Sequence, residues 1–530
     1  MSPILFGYVR PEPTTWVVLS FFAVIGLFFV FHRFWSMRNL DILLVLAFIP
    51  GFMMVYEGRR TSNLEPNTVS SPSDHDAASE NSSVARLVPT PQAPGDTSEL
   101  GRESAEAPVD VESSAERSDG TPLASADGGD QLESNETASV DRATIPANAL
   151  SAAKKARRSL LYWGFLTLLV CAVLLTARML MDTAIVRRPL LEPNLNSGGM
   201  LFIGASLLLF LLFNVATSTL SDNLQQGRDL GPGYILISVL PSISTDRFEI
   251  GEAKQESSTS EVTPKVLRDL RLDMTARILA ICANLALIFC IVGIGYWHFG
   301  SFNTGVGAAT IYLLLPYTAF TTGRVDHVVP GALLLLALLM YRQPFIAGLF
   351  LGCAAGVTYY PFSLLPLWCS FYWPRGIRRF AAGFACALIA LIVPMVLFYS
   401  ANLGVHLGFM FGIKPVAMTD MDGVWGLGWH PFVRIPIIVL FALLSMSFVV
   451  WPAQKNLATL MSCSAALMAA TQFWHGFGGG LYMAWFLPLA ILTIFRPNLD
   501  YLVALEVVRP WKRKSKVVKP ETVANTNIAA

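Results

Sequence analysis

The sequence predicts an all-α, polytopic membrane helix bundle with about 11–13 transmembrane helices and a disordered acidic linker. Three observations predict it. Of 530 residues, 53% are hydrophobic and only 14% charged, with mean hydropathy +0.51, whereas soluble domains carry roughly 25% charged residues. Apolar runs of about 18 or more residues recur along the chain. One long polar stretch interrupts them with a different composition.

Helices are read at 15–33, 39–57, 159–181, 199–218, 275–297, 304–322, 328–341, 345–373, 379–400, 435–454, 456–474 and 479–496. The span 345–373 is too long for one simple crossing and holds Pro361 and Pro366, so it reads as kinked or as two short helices. Pro316 raises the same question for 304–322. Residues 61–150 carry 17 acids against four arginines. Such a stretch buries too little apolar surface to offset its ordering entropy. The expected organisation is a two-helix membrane segment at 1–60, a disordered acidic linker at 61–157, a transmembrane core at 158–497 and a basic tail at 498–530.

Lys and Arg placement sets orientation. "EGRR" ending at Arg60, "KKARR" at Lys154–Arg158, "KVLRDLR" at Lys265–Arg271, "RGIRR" at Arg375–Arg379 and "KRKSK" at Lys512–Lys516 are all assigned to the cytoplasm, as are the linker and tail. Loops 182–198, 298–303, 401–434 and 475–478 are then external. Arg342, in the turn "YRQP", fits awkwardly, and a doubled 345–373 crossing changes its side. The expected location is a cell membrane, with multiple passes, of the bacterial inner-membrane kind.

The seven cysteines lie inside apolar segments without CxxC spacing, which favours neither a zinc site nor a disulfide framework. No Walker loop, GxSxG or HExxH is present, which argues against a nucleotide-driven pump or a common hydrolase. Nothing points to nucleic acid.

Ionisable residues at helix ends are the candidates for chemistry. Asp182 ends a long apolar helix, and by itself a solvated helix-end carboxylate explains it. Arg187 and Arg188 follow, with guanidinium groups suited to phosphate oxygens or to lipid headgroups. Glu192 lies between Leu191 and Pro193 in the same loop. "TTGRVDHVVP" brings together Arg324, Asp326 and His327, either as an internal ion pair or as the lining of a polar cavity. Tyr359 and Tyr360 precede Pro361 and offer hydroxyls or serve as interfacial anchors. "TDMDGVWGLGWH" combines Asp420 and Asp422 with Trp425 and Trp429, a composition suited to sugar binding or to membrane anchoring.

The stretch "GRVDHVVPGALLLLALLMYRQPFIAGLFLGCAAGVTYYPFSLLPLWCSFYWPRGIRRF" resembles the central part of the polyprenol-phosphate-dependent glycosyltransferases of the GT-C superfamily, closest to the bacterial alpha-mannosyltransferase-like family. Those proteins share a Gly-polar-Asp cluster, a leucine-rich helix, a basic turn, an "AGxxxG" helix and a proline-containing segment ending in a second basic turn. The family often has lysine before that proline, where this chain has Tyr360. The resemblance covers about 159–496 and implies a GT-C-like core. It implies hexose transfer, with mannose a candidate, from a polyprenyl-phosphate donor to a lipid or glycan acceptor outside the cytoplasm. It implies Asp182 as the base. Arg187, Arg188, Glu192, Arg324, Asp326, His327 and Tyr360 are the corresponding substrate-binding candidates. No protein metal site is expected, and a divalent cation remains open as a cofactor. A transporter or flippase of a lipid-linked saccharide and a non-catalytic membrane scaffold are the alternatives.

Overall fold

A computed structural model of the chain describes residues 12–63, 147–184, 191–218, 262–321, 323–374, 376–398, 421, 423–476, 479–499 and 502. The chain divides into two compact units, Met1–Ser62 with Lys154–Ala530, and Asn63–Ala153. Nearly all of the second unit, which holds the expected acidic linker, lies outside the described residues. The basic tail lies outside them too. The helix bundle belongs to the first unit.

Among the described residues every regular element is helical. The helices are α1 (Pro13–Phe28), α2 (Met37–Leu46), α3 (Phe48–Asn63), α4 (Ala147–Met181), α5 (Ser197–Ala216), α6 (Val262–Trp297), α7 (Phe302–Leu314), α8 (Pro316–Phe320), α9 (Val325–Leu339), α10 (Pro344–Val357), α11 (Leu365–Tyr372), α12 (Ile377–Phe398), α13 (Arg434–Ser447), α14 (Leu457–Ala470) and α15 (Leu487–Phe495). Five segments are long and apolar enough to cross a membrane: Met37–Arg60, Ser151–Ala184, Ser197–Ala216, Met274–Trp297 and Ile377–Pro394.

The remaining core helices are short, for local reasons. Pro316 starts α8 and breaks the expected 304–322 helix after Leu314, because it lacks the N–H that would continue α7. α14 begins at a reciprocal capping box, in which the Asn456 side chain accepts from the Thr459 N–H and the Thr459 hydroxyl accepts from the Asn456 N–H. At 14 and nine residues, α14 and α15 reach only about 21 and 14 Å, less than the ~30 Å of a hydrocarbon core.

Close-packed glycines fix helix directions. Gly51 and Gly58 of α3 face Leu168 and Leu161 of α4, so these two helices run antiparallel. Gly348, Gly352 and Gly356 of α10 meet, in that order, Phe380, Ala387 and Leu391 of α12, so α10 and α12 run parallel. Parallel neighbours require an intervening return, and α11 supplies it. The Tyr372 hydroxyl donates to the Tyr341 carbonyl at 2.6 Å, returning the chain to the turn it left at Arg342.

This return corrects the expected orientation. The 345–373 stretch is two helices, and Arg342 with exposed Arg378 and Arg379 sits at one end of the bundle. Asp182 and the 298–301 turn are at that end too, because His298 contacts the Leu339 carbonyl at 2.9 Å and Gly307 abuts Pro193 and Phe495. Arg59 and Arg157 are at the other end: Arg157 reaches the Gly58 carbonyl at 3.2 Å, and Tyr56 lies 5.1 Å from Phe320. "EGRR" and "KKARR" therefore do not share a face with "RGIRR". Asp182 and Arg434 are likewise at opposite ends, because α13 starts at Arg434 beside the Trp474 carbonyl and returns to Val449 beside Ser370; residues 401–420, most of the expected 401–434 loop, lie outside the described residues.

His475 and Gly476, the described part of the expected external loop 475–478, are buried rather than external. α14 and α15 form a hairpin that enters from the Asp182 end and turns inside the protein. Its tip, Thr471–Trp485, includes Gly480, whose φ of +96° suits a residue without Cβ. The Gly480 N–H is held by Gln472 Oε1 at 3.0 Å. Irregular backbone at such depth is tolerated where protein surrounds it.

Candidate functional site

Two polar clusters lie inside the bundle. The first is a buried chain of four charges. Arg178 donates from Nε and Nη2 to the two oxygens of Asp41 at 2.5 and 2.9 Å. Its Nη1 reaches Asp182 Oδ1 at 3.5 Å. Arg496 closes the chain on Asp182 Oδ2, with Nε at 3.1 Å and Nη2 at 2.6 Å. All four residues are buried, and two acids balance two bases. Such desolvated pairs persist only when well formed. The Asp182 side chain is fully enclosed between guanidinium groups. Its cationic neighbours are Arg178 and Arg496; Arg187 and Arg188 lie outside the described residues. Glu192 is exposed and contributes its backbone carbonyl to Arg38 at 2.7 Å.

The second cluster forms where helix ends meet. Arg324 precedes α9 and clasps Asp326 with two hydrogen bonds, Nε to Oδ1 at 3.2 Å and Nη2 to Oδ2 at 2.7 Å. Asp326 is fully buried, whereas the Arg324 side chain keeps 26% of its surface open. His327 pairs through Nδ1 with the Tyr317 hydroxyl at 2.9 Å, and that hydroxyl accepts from the Ala484 N–H. Trp485 Nε1 donates to the Asp326 carbonyl at 3.1 Å. The hairpin tip is thereby tied by one hydrogen bond to Asp326 at the start of α9 and by another to Tyr317 of α8.

From His327 a continuous aromatic wall extends through Tyr482 (4.4 Å between centroids) and His475 (4.4 Å) to Tyr360 (4.7 Å). Tyr359 stacks on Tyr360 at 4.1 Å, and their hydroxyls are 2.9 Å apart. Tyr360 is positioned by the break after α10, where Pro361 ends the helix and opens a single-turn segment, Tyr360–Leu364.

Arg324, Asp326, His327 and Tyr360 thus line one cluster, and Asp182 is not part of it. Leu168 of α4 touches Gly480 at the hairpin tip. Asp182 is 14 positions further along that helix, about 21 Å at 1.5 Å per residue. Asp182 and Arg324, read from the sequence as parts of one site, are held in two separate clusters.

Sequence reasoning missed Asp41, Arg178 and Arg496 as a unit. The four-residue spacing of Arg178 and Asp182 was the available signal. It also assigned loop 475–478, and with it His475, to the exterior rather than to this wall. Asp420 and Asp422 lie outside the described residues. Among the described residues no group of three or more His, Cys, Asp or Glu side chains is placed to hold a metal ion.

Comparison with known protein families, characterised proteins and solved structures gave no match.

Proposed function

We propose that the chain is an integral membrane glycosyltransferase that moves a hexose from a polyprenyl-phosphate donor, and that the donor's phosphate is held at the Arg324 end of the bundle. One observation carries this reading. Arg324 is part-exposed, yet its guanidinium is fixed by a buried carboxylate at the edge of an aromatic wall of His, Tyr and Trp residues. A fixed guanidinium offers donors to phosphate oxygens at little reorganisation cost, and aromatic faces with hydroxyls suit a sugar. Arg59 lies at the same end of the bundle, where neighbouring Tyr56 packs 5.1 Å from Phe320, and adds positive potential there.

In the reaction, the acceptor oxygen bonds to the anomeric carbon as the bond from that carbon to the phosphate oxygen breaks. Polyprenyl phosphate leaves with the bonding pair, and the acceptor's hydroxyl proton passes to a carboxylate. A single displacement inverts the anomeric centre. Asp182, the sequence-based candidate for base, is enclosed by two arginines and distant from Arg324. Among the carboxylates at the Arg324 end whose side chains are described, Glu57 of α3, ion-paired with Arg60 at 3.7 Å, keeps 46% of its side chain open to solvent. Under this reading Asp182 is a structural residue. The test is transfer of a radiolabelled hexose from a polyprenyl-phosphate donor by purified protein in nanodiscs, comparing wild type with Arg324→Lys and Glu57→Gln. Loss in both variants, with an unchanged melting temperature, supports the reading; wild-type rates in both oppose it.

A second reading has its own observation. The breaks at Pro316 and Thr358 and the internal turn of the α14–α15 hairpin are interrupted helices meeting inside the bundle, an arrangement that transporters use for substrate sites. Movement of a fluorescent lipid-linked saccharide across proteoliposome membranes, without chemical transfer, is its distinguishing result.

A further inference from the structure

Two buried polar atoms near Tyr360 stand out because their surroundings are otherwise well satisfied. Trp474 Nε1 and Thr358 Oγ1 have no hydrogen-bond partner among the described residues. A buried donor left unpaired costs free energy comparable to a lost hydrogen bond, so such atoms usually mark a bound water or ligand. The backbone around Trp474 is firmly held. Its carbonyl accepts from Arg434 Nε at 2.7 Å, and the preceding carbonyl, of Phe473, accepts from Trp425 Nε1 at 3.2 Å. The unpaired indole N–H is therefore not the result of a loose segment.

The shape of the surroundings is equally specific. Trp474 and Tyr359 are part-exposed, with ring centroids 6.1 Å apart, and are the edge of the cluster nearest solvent. Tyr360 lies beneath, 5.1 Å from Trp474, and Thr358 is buried beside it at the end of α10. The paired Tyr359 and Tyr360 hydroxyls add polar atoms.

We infer that Trp474, Thr358, Tyr359 and Tyr360 form a binding subsite for a neutral, hydroxyl-rich ring, a hexosyl unit. This deepens the proposed function and rests on it for the choice of saccharide. The chemistry favours that class. Indole Nε1 can only donate, so its partner is an acceptor such as a sugar hydroxyl or ring oxygen. A threonine hydroxyl both donates and accepts. The aromatic faces cover the C–H surface of a pyranose. Arg434, the cation beside Trp474, already donates from Nε to a backbone carbonyl, and Arg324 belongs to the other end of the aromatic wall.

The experiment uses full-length protein in nanodiscs and three probes, methyl mannoside, methyl glucoside and methyl galactoside, with saturation-transfer NMR and calorimetry as readouts. Wild type is expected to bind at least one of them. Trp474→Phe keeps the ring and removes the N–H, and Thr358→Val keeps the shape and removes the hydroxyl. Each is expected to weaken that binding about 5-fold, the worth of one neutral hydrogen bond, at an unchanged melting temperature. If Trp474→Phe unfolds the protein, Thr358→Val alone decides. Wild type binding none of the three, or both variants binding as wild type does, overturns the subsite, water alone then satisfying the two atoms, even if hexose transfer is observed. Binding that depends on Trp474 or Thr358, with no hexose transfer from any donor, upholds the subsite and removes the transferase reading.

Discussion

Arg496 and Asp182 are 314 positions apart in the chain and joined by two hydrogen bonds inside the bundle, of 2.6 and 3.1 Å to the same carboxylate oxygen. Through Arg178 the pair extends to Asp41. The end of α15 is thus clamped to the end of α4 and the start of α2, which holds the hairpin's open end while its tip contacts the aromatic wall.

Asp182→Asn is expected to destabilise the protein by roughly 3–5 kcal/mol, because it leaves the Arg496 guanidinium buried without its counter-charge. A paired apolar replacement, Asp182→Leu with Arg496→Met, is expected to recover much of that loss, since buried ion pairs are often replaceable by well-packed apolar side chains. Thermal unfolding in detergent checks both. A catalytic Asp182 predicts the opposite pattern, with Asp182→Asn stable but inactive and the double variant inactive.

Arg324→Lys keeps a positive charge but loses the two-pronged contact with Asp326 and the planar donors for phosphate. It is expected to lower the transfer rate about 10-fold or more, whereas Arg324→Gln with Asp326→Asn, which removes the charge pair together, is expected to lower it about 10²–10³-fold, the usual effect of losing one charge-stabilising donor. Initial rates at saturating donor separate these effects from altered folding.

Gly348 and Gly383 lie where α10 and α12 touch backbone to backbone, and an added Cβ would overlap the carbonyl oxygens of Phe380 and Phe345, respectively. Gly383→Ala is expected to cost about 1–3 kcal/mol through overpacking. Gly26→Ala, with open space around the new methyl, is expected to leave stability unchanged or slightly raised by the better helix propensity of alanine. Melting temperatures of the two variants give the comparison.

The parallel packing of α10 and α12 places Arg378 and Arg59 at opposite ends of the bundle. Reporter tags or single introduced cysteines at Arg378 and Lys155 are expected to be labelled from opposite sides of the membrane. Labelling of both from one side would mean that α11 does not return the chain.

Helix content and most helix positions were legible in the sequence, because apolar run length depends only on local composition. Orientation was not legible. A return helix as short as α11 carries the same apolar signal as the second half of a kinked long one, and only the contact between Tyr372 and Tyr341 separates them. The grouping of Arg324, Asp326 and His327 was visible as a polar interruption between apolar helices. Its extension to His475, Tyr482 and Trp485 was not, because those residues are brought there by a hairpin that turns inside the protein, where composition alone placed an exterior loop. Asp182 was conspicuous as an acid at a helix end, and Arg178 four positions before it lies within a local pattern, but its partner Arg496 lies 314 positions after it, and Asp41, which pairs with Arg178, 141 before it, beyond any local pattern.

The most direct test compares Arg324→Lys and the Asp182→Leu, Arg496→Met pair in one assay of hexose transfer from a polyprenyl-phosphate donor, with yield and melting temperature measured alongside. The expected result is transfer by wild type, transfer retained by the apolar pair in proportion to folded protein, and transfer depressed about 10-fold or more in the well-folded Arg324 variant. Full activity without the Arg324 guanidinium, or complete loss in a well-folded protein lacking Asp182, would contradict the account.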